Sequence, residues 1–200
     1  MTIDVVVVDL GGVAASFRPE RRLAALSVAT DRSERFIQRA LFASGLDRRA
    51  ELGMIGPDEI ISDVGLALRT SVDPDTLIES WATAFEPDLV VLNVVRTTIA
   101  RTVLFTNNGP MINRCLSGPL DVISSSFDVI ICSWELKAAK PDEAAFERAA
   151  SRLDAAPHGL LLLDDDPTNV ESARRYGWNA QTVSCAADVT EALADCARNG

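Results

Sequence analysis

Residues 4–12, Asp4-Val5-Val6-Val7-Val8-Asp9-Leu10-Gly11-Gly12, decide how this chain folds. Consecutive β-branched residues favour extended backbone, and with no polar position among them the run suits a strand buried on both faces of a sheet. A carboxylate closing such a strand, followed by two glycines that let other backbone approach, is costly unless something binds there. The strand is therefore read as Asp4–Asp9. Further short apolar runs take the same form: Thr102–Thr106, Asp128–Cys132, Leu160–Asp164 and Ala180–Ser184. Between the later runs lie segments with helix signals, Pro110–Leu116, Pro141–Leu153 and Pro167–Tyr176, and Asp188–Asn199 closes the chain. Proline in a first turn followed by acids marks two of these starts. Strands alternating with helices mean parallel pairing through right-handed crossovers. The expected fold is α/β, one doubly wound parallel sheet with helices on both faces.

The stretch from 16 to 86 interrupts that alternation and shows no strand signal. It reads as helices throughout: Glu20–Ala29, Arg32–Phe42, Pro57–Arg69 and Pro74–Phe85, with apolar residues recurring at three- and four-residue spacing. The expected organisation is a core of residues 1–15 and 87–200, with an all-helical insertion, 16–86, packed on it as a lid. Pro87 and a helix at Asp88–Ala100 return the chain to the sheet.

At 200 residues, with 48% hydrophobic and 24% charged content, the chain is long enough to fill a core. A net charge of −10 with no basic block argues against a nucleic-acid backbone or an anionic membrane as partner. The amino terminus lacks a basic region before its apolar run, and no apolar run approaches the ~18 residues of a membrane span. Cys115, Cys132, Cys185 and Cys196 form no CxxC pair, which argues against a zinc or redox motif. A cytoplasmic protein is expected; nothing in the sequence sets its oligomeric state.

In a doubly wound sheet, ligands bind at the carboxyl ends of the strands. Asp9 ends the first strand, Thr106-Asn107-Asn108-Gly109 the second and Asp164-Asp165-Asp166 the fourth, while Lys140-Pro141 opens the helix after the third. Carboxylates converging in that number repel one another unless a hard cation sits among them, and their oxygens suit Mg²⁺. A second reading of Asp164–Asp166 is a solvated turn capping the helix at Pro167. The Thr106 hydroxyl with the Asn107 amide makes a phosphate-oxygen site. Of 19 cationic residues only Lys137 and Lys140 are lysine, which marks either a need for a compact ammonium or an arginine-rich coding bias. His158, just before a strand, reads as a surface turn. Trp134 reads equally as crevice wall or core, and Arg18, Arg48 and Arg49 as substrate contacts or solvated residues.

Taken together, VVVVDLGGV, VLFTNNG, Lys140-Pro141 within SWELKAAKP, and LLLLDDDPTNVESA resemble, in order, the four motifs of the haloacid dehalogenase superfamily of hydrolases. The helical stretch resembles the small cap that one branch inserts after the first motif, and AELGMIGPDEI resembles a recurring segment of it. The resemblance implies a Rossmann-like core with the first strand central, the fourth and second beside it, and the third and fifth at the edges. It implies Asp9 as nucleophile, Thr106 and Asn107 on the phosphoryl group, and Lys140 neutralising both. It further implies Mg²⁺ held by Asp9, Asp165, Asp164 and the carbonyl of Gly11. Asp165 would be a direct ligand, with Asp164 orienting a metal water or completing the shell.

Two residues after the nucleophile, family phosphatases usually carry an aspartate that serves as acid and base; here the residue is Gly11. Lys137 stands where glycine is common, and Asn169 where a second acid is common. The function expected from the resemblance is a Mg²⁺-dependent phosphohydrolase acting on a small phosphate ester, a sugar phosphate among the options. The alternatives are a metal-free haloacid dehalogenase, which an acidic triplet beside the nucleophile disfavours, and a phosphate-binding regulatory protein without turnover.

Overall fold

The computed structural model describes residues 3–199, with side chains through residue 194. Its strands are β1 (Val5–Val8), β2 (Ala15–Phe17), β3 (Phe85–Pro87), β4 (Arg101–Thr106), β5 (Val129–Cys132), β6 (Leu160–Asp164) and β7 (Asn179–Thr182). Five of them form a parallel sheet in the order β5-β4-β1-β6-β7. The fold is an α/β, Rossmann-like sheet, with the valine strand at its centre.

Burial on both faces accounts for the unbroken apolar runs. Successive side chains on a strand point to opposite sides, so Val6 and Val8 enter one core with Leu161 and Leu163, while Val5 and Val7 enter the other with Leu160 and Leu162. The second core is closed by Phe146, Ala149 and Leu153 of helix Glu143–Leu153 and by Val170 and Ala173 of helix Pro167–Arg175. The first is closed by helix Leu89–Thr97, helix Met111–Leu116 and helix Ala186–Asn199. It continues without a break into the helices of the insertion through Leu26, Leu41, Val64, Leu77 and Trp81. Among the described residues no helix is long and apolar enough to cross a membrane.

The stretch 16–86 is not helical throughout. Helices Pro19–Thr30, Glu34–Ile37, Leu46–Glu51, Ile60–Leu68 and Pro74–Ala82, with a π-helical turn at Gln38–Ala43, fill most of it. Its ends, however, are extended: β2 and β3 pair antiparallel, Ala15 with Pro87, Ser16 with Glu86 and Phe17 with Phe85. The expected helix to Phe85 accordingly stops at Ala82. A three-residue strand has too short a pattern to read, and its partner lies about seventy residues away in sequence. Short helices at Asp121–Ser124 and Ser133–Leu136 are likewise shorter than any periodic signal. The helix expected to open at Lys140-Pro141 begins at Glu143, which leaves Lys140 in a loop. Lys137 has φ 52°, the left-handed conformation that explains why glycine suits its position.

Phe146 is fully buried beneath the sheet, edge-on to Phe105 at 6.3 Å and to Trp178 at 5.5 Å between ring centroids. Phe146→Ala is expected to lower unfolding stability by about 3–5 kcal/mol. Urea denaturation checks this, and a loss below about 1 kcal/mol would contradict the packing described.

Candidate active site

Strand register brings the first two acids together. Val8 lies opposite Leu163 on β6, so the next residues, Asp9 and Asp164, leave neighbouring parallel strands side by side. On the other flank Val8 lies opposite Leu104 of β4, which places the Phe105 carbonyl level with Asp9. Lys140 reaches into this point from its loop. Its Nζ donates to Asp9 Oδ1 at 2.6 Å, to Asp164 Oδ2 at 2.6 Å and to the Phe105 carbonyl at 2.9 Å. The three acceptors use all three of its N–H bonds. Asn107 fixes the lysine backbone from both sides: its Nδ2 donates to the Lys140 carbonyl, and its Oδ1 accepts from the Lys140 amide.

The acidic triplet divides into three tasks. Asp164 is fully buried, and besides Lys140 it accepts from the Asp166 amide and from Asn169 Nδ2, each at 3.0 Å. Asp166 is the helix cap, its Oδ1 accepting from the Thr168 amide at 2.8 Å. The capping reading of the sequence thus holds for one residue of the three. Asp165 stays exposed and turns toward the first strand: a Cβ built on Gly12 would fall 2.1 Å from Asp165 Oδ2. The second glycine, at φ 89°, is thus the one that close approach requires. Gly11 lies outside the positive-φ region, and the space its side chain would enter is held by Phe17, whose Cβ lies 3.3 Å away.

Asp9, Asp164 and Asp165 each offer a carboxylate oxygen within 4.8 Å of the others. Two of these carboxylates meet the Lys140 ammonium, and the third, Asp165, adds negative charge beside them. Burial, aided by Asp164 and Asp165, pushes the Asp9 pKa up to about 6 against the opposing pull of Lys140. Burial alone would lower Lys140, but Asp9 and Asp164 outweigh it and hold the lysine above its ordinary value. Burial and Asp164 also raise Asp165. An all-oxygen donor set with surplus negative charge fits a hard divalent cation such as Mg²⁺. Among the described residues no donor reaches Asp9 Oδ2.

Thr106 is buried at the end of β4, and its Oγ1 accepts from Asn108 Nδ2 at 2.7 Å. Next to it, insertion helix Leu46–Glu51 rests on the loop after β4: Ser133 Oγ donates to the Glu51 and Asn108 carbonyls, and Ala50 Cβ lies 2.8 Å from the Gly109 Cβ position. His158 is exposed in a turn, and Trp134 is half-buried with its Nε1 on Asn113 Oδ1. Arg18, Arg48 and Arg49 are exposed, Arg48 pairing with Glu51. The sequence reading did not give a role to Asn169, whose signal is its position five residues after Asp164 on the first turn of a helix. It also passed over Arg22, one of many arginines in sequence but the buried one in space.

A family model described as haloacid dehalogenase-like hydrolase matches residues 3–177, and the chain belongs to that family. No curated protein sequence matches it. Among solved structures, a HAD-like family hydrolase from Porphyromonas gingivalis is 20% identical with a TM-score of 0.80, covering 99% of each chain. A HAD family enzyme of Bacteroides thetaiotaomicron, solved in complex with magnesium and inorganic phosphate, is 19% identical with a TM-score of 0.72, covering 90% of this chain and 93% of that one. L-2-haloacid dehalogenase from Xanthobacter autotrophicus is more distant, at 16% identity and a TM-score of 0.59, covering 91% and 78%. At these identities the likeness is one of fold.

Lys140→Met is expected to cost about 3–5 kcal/mol of stability in chelator, because it leaves the Asp9 and Asp164 carboxylates buried without a counter-charge. Denaturant titration of both proteins measures the difference. A loss under about 1 kcal/mol would show that the ammonium does not hold the pair.

Proposed function

We propose that the protein is a Mg²⁺-dependent phosphohydrolase acting on a small phosphate ester through an aspartyl-phosphate on Asp9. The reading is carried by one observation: Lys140 holds Asp9 Oδ1 and Asp164 together while, among the described residues, Asp9 Oδ2 has no donor and Asp165 beside them has no counter-ion. The magnesium and phosphate bound by the Bacteroides enzyme of the same fold support it. In this reading residues 16–86 form a helical cap over a core of residues 1–15 and 87–200.

Asp9 Oδ2 attacks phosphorus in line with the ester oxygen; the new O–P bond forms as the bond to the leaving group breaks. Lys140 fixes the attacking carboxylate and offsets charge on the phosphoryl oxygens. Thr106, with the Asn107 amide, holds the phosphoryl group, while the Asn107 side chain keeps Lys140 in place. Mg²⁺, held by Asp9, Asp165 and the Gly11 carbonyl, would supply further charge stabilisation on the phosphoryl oxygens. Asp164, with both oxygens already engaged, orients the group rather than acting as a main ligand. In the second step water attacks phosphorus and breaks the bond to Asp9, so that inorganic phosphate leaves and the carboxylate is restored. A dehalogenase needs no metal and gains nothing from Asp165, whose charge raises the pKa of the nucleophile.

Steady-state assay against a phosphate-ester panel tests the proposal. Turnover is expected with millimolar Mg²⁺ and is expected to vanish in excess chelator and in Asp9→Asn. Undiminished turnover under either condition rejects the aspartyl-phosphate mechanism; phosphate binding with no turnover on any ester identifies a non-catalytic binding protein.

Position 11 generates a further expectation. With Phe17 against Gly11, no side chain there protonates the departing oxygen, and a positioned acid contributes about 10²–10⁴-fold. Aryl and anomeric phosphates should therefore outrun simple alkyl phosphates, with log kcat/KM falling steeply as leaving-group pKa rises. A flat plot would show that another group supplies the proton.

A further inference from the structure

The segment Thr106-Asn107-Asn108-Gly109 carries two adjacent side-chain amides, and the proposed chemistry gives a task to only one of them. The Asn107 amide is spent on the backbone of Lys140. The Asn108 amide turns the other way: its Nδ2 donates to Thr106 Oγ1 at 2.7 Å. Thr106 directly follows Phe105, whose carbonyl accepts from Lys140 Nζ, so the ammonium and the hydroxyl are held at successive residues of β4.

A threonine hydroxyl offers one hydrogen and two lone pairs. Its carbon skeleton is stiff about χ1, but the hydrogen turns about the C–O bond unless a neighbour restrains it. At 2% exposure, Thr106 has little water to do so. Asn108 supplies the restraint: with an N–H directed at one lone pair, the hydroxyl hydrogen is turned away from the amide. Among the described residues that hydrogen has no acceptor. A buried donor left unmet is costly, and an arriving oxygen ligand removes the cost.

The amide is itself held from two sides. Ser133 Oγ, fully buried, donates to the Asn108 carbonyl at 3.3 Å and to the Glu51 carbonyl at 2.9 Å. The next residue, Gly109, is covered so closely that an added Cβ would fall 2.8 Å from Ala50 Cβ. Asn108 is thus clamped between Ser133 and helix Leu46–Glu51, which keeps its amide on Thr106.

We propose that Asn108 is a positioning residue that sets the Thr106 hydroxyl to donate its hydrogen to a phosphoryl oxygen. The inference rests on the phosphohydrolase reading and adds a residue to its site. Phosphoryl oxygens carry charge and accept, so a hydrogen bond from Thr106 to one is charge-assisted. A hydroxyl without Asn108 presents its hydrogen in several directions, which weakens that contact without abolishing it.

The test is a double-mutant cycle between position 108 and Thr106→Val, which keeps the threonine's shape and removes its hydroxyl. For each variant, kcat/KM for p-nitrophenyl phosphate in Mg²⁺ and the inhibition constant of inorganic phosphate are measured. Thr106→Val is expected to lower kcat/KM about 10- to 100-fold. Asn108→Ala and the similarly sized Asn108→Leu are each expected to lower it about 3- to 10-fold and to raise the phosphate inhibition constant in step; either alone completes the cycle. In the Thr106→Val background the same changes are expected to cost less than about twofold, because no hydroxyl remains to be set. A residue that only shapes the loop would cost as much there as in the wild type, so additive losses overturn the inference. So does a loss under about twofold in the wild type. A gain in phosphate affinity overturns it as well, by showing that the amide takes the hydroxyl hydrogen instead. Wild-type phosphate binding without turnover of any ester rejects the phosphohydrolase alone; the cycle is then read on phosphate affinity by titration calorimetry, with non-additivity still expected. Absence of both turnover and phosphate binding rejects both.

Discussion

The ammonium of Lys140 is the fixed point of the molecule. It satisfies three oxygens from three different strands' ends, and its removal would leave like charges facing each other in a water-poor crevice. That demand explains why the register of β1 with β6 matters: a slip of one residue would turn Asp9 and Asp164 to opposite faces of the sheet. It also explains the residue type. A guanidinium is planar and forked, whereas three oxygens converging on one nitrogen need a compact tetrahedral donor. The Asn107 side chain then serves the lysine, clamping the backbone of the loop that carries it and leaving the Asn107 backbone amide uninvolved in that clamp.

The sheet was legible because its signal is redundant. Val5–Val8, Leu160–Leu163 and Val103–Phe105 are apolar on both faces, and each ends in a polar residue that a soluble strand interior would not tolerate. The division of labour within Asp164–Asp166 was not legible, since three identical side chains in a row differ only in where the turn aims them. Likewise nothing in the letters separates Arg22 from Arg21, yet one is buried among three aromatic rings and the other lies on the surface against Glu86. The β2–β3 pairing was hidden for a different reason. Its stability comes from cross-strand contact, Phe17 on Phe85, and contact between residues so far apart leaves no periodicity in either segment.

Between the sheet and the insertion, apolar packing and charge are arranged in opposite senses. The shared core binds the helices to one face of the sheet through aliphatic side chains, which fixes their position without fixing any chemistry. The buried cation of the insertion, Arg22, is by contrast incompletely paired among the described residues. An insertion of this kind is free to change its inward polar residues while its aliphatic contacts hold it in place.

The ribbon formed by β2 and β3 has a consequence for how the chain is assembled. The two segments that carry the polypeptide out of the sheet and back are hydrogen-bonded side by side, roughly 5 Å apart. They are laced further by the Arg18 amide on the Ala84 carbonyl and by the Asp88 amide on the Ala14 carbonyl. Seen from β1 and β4, the whole excursion is therefore equivalent to a tight turn. Lengthening it adds only slowly to the entropy of closing the loop, so the central strands meet at nearly the same cost whatever the helices above them contain. A fold built this way can exchange the helices it carries outside the sheet and keep intact the strand ends where Lys140 and the acids meet.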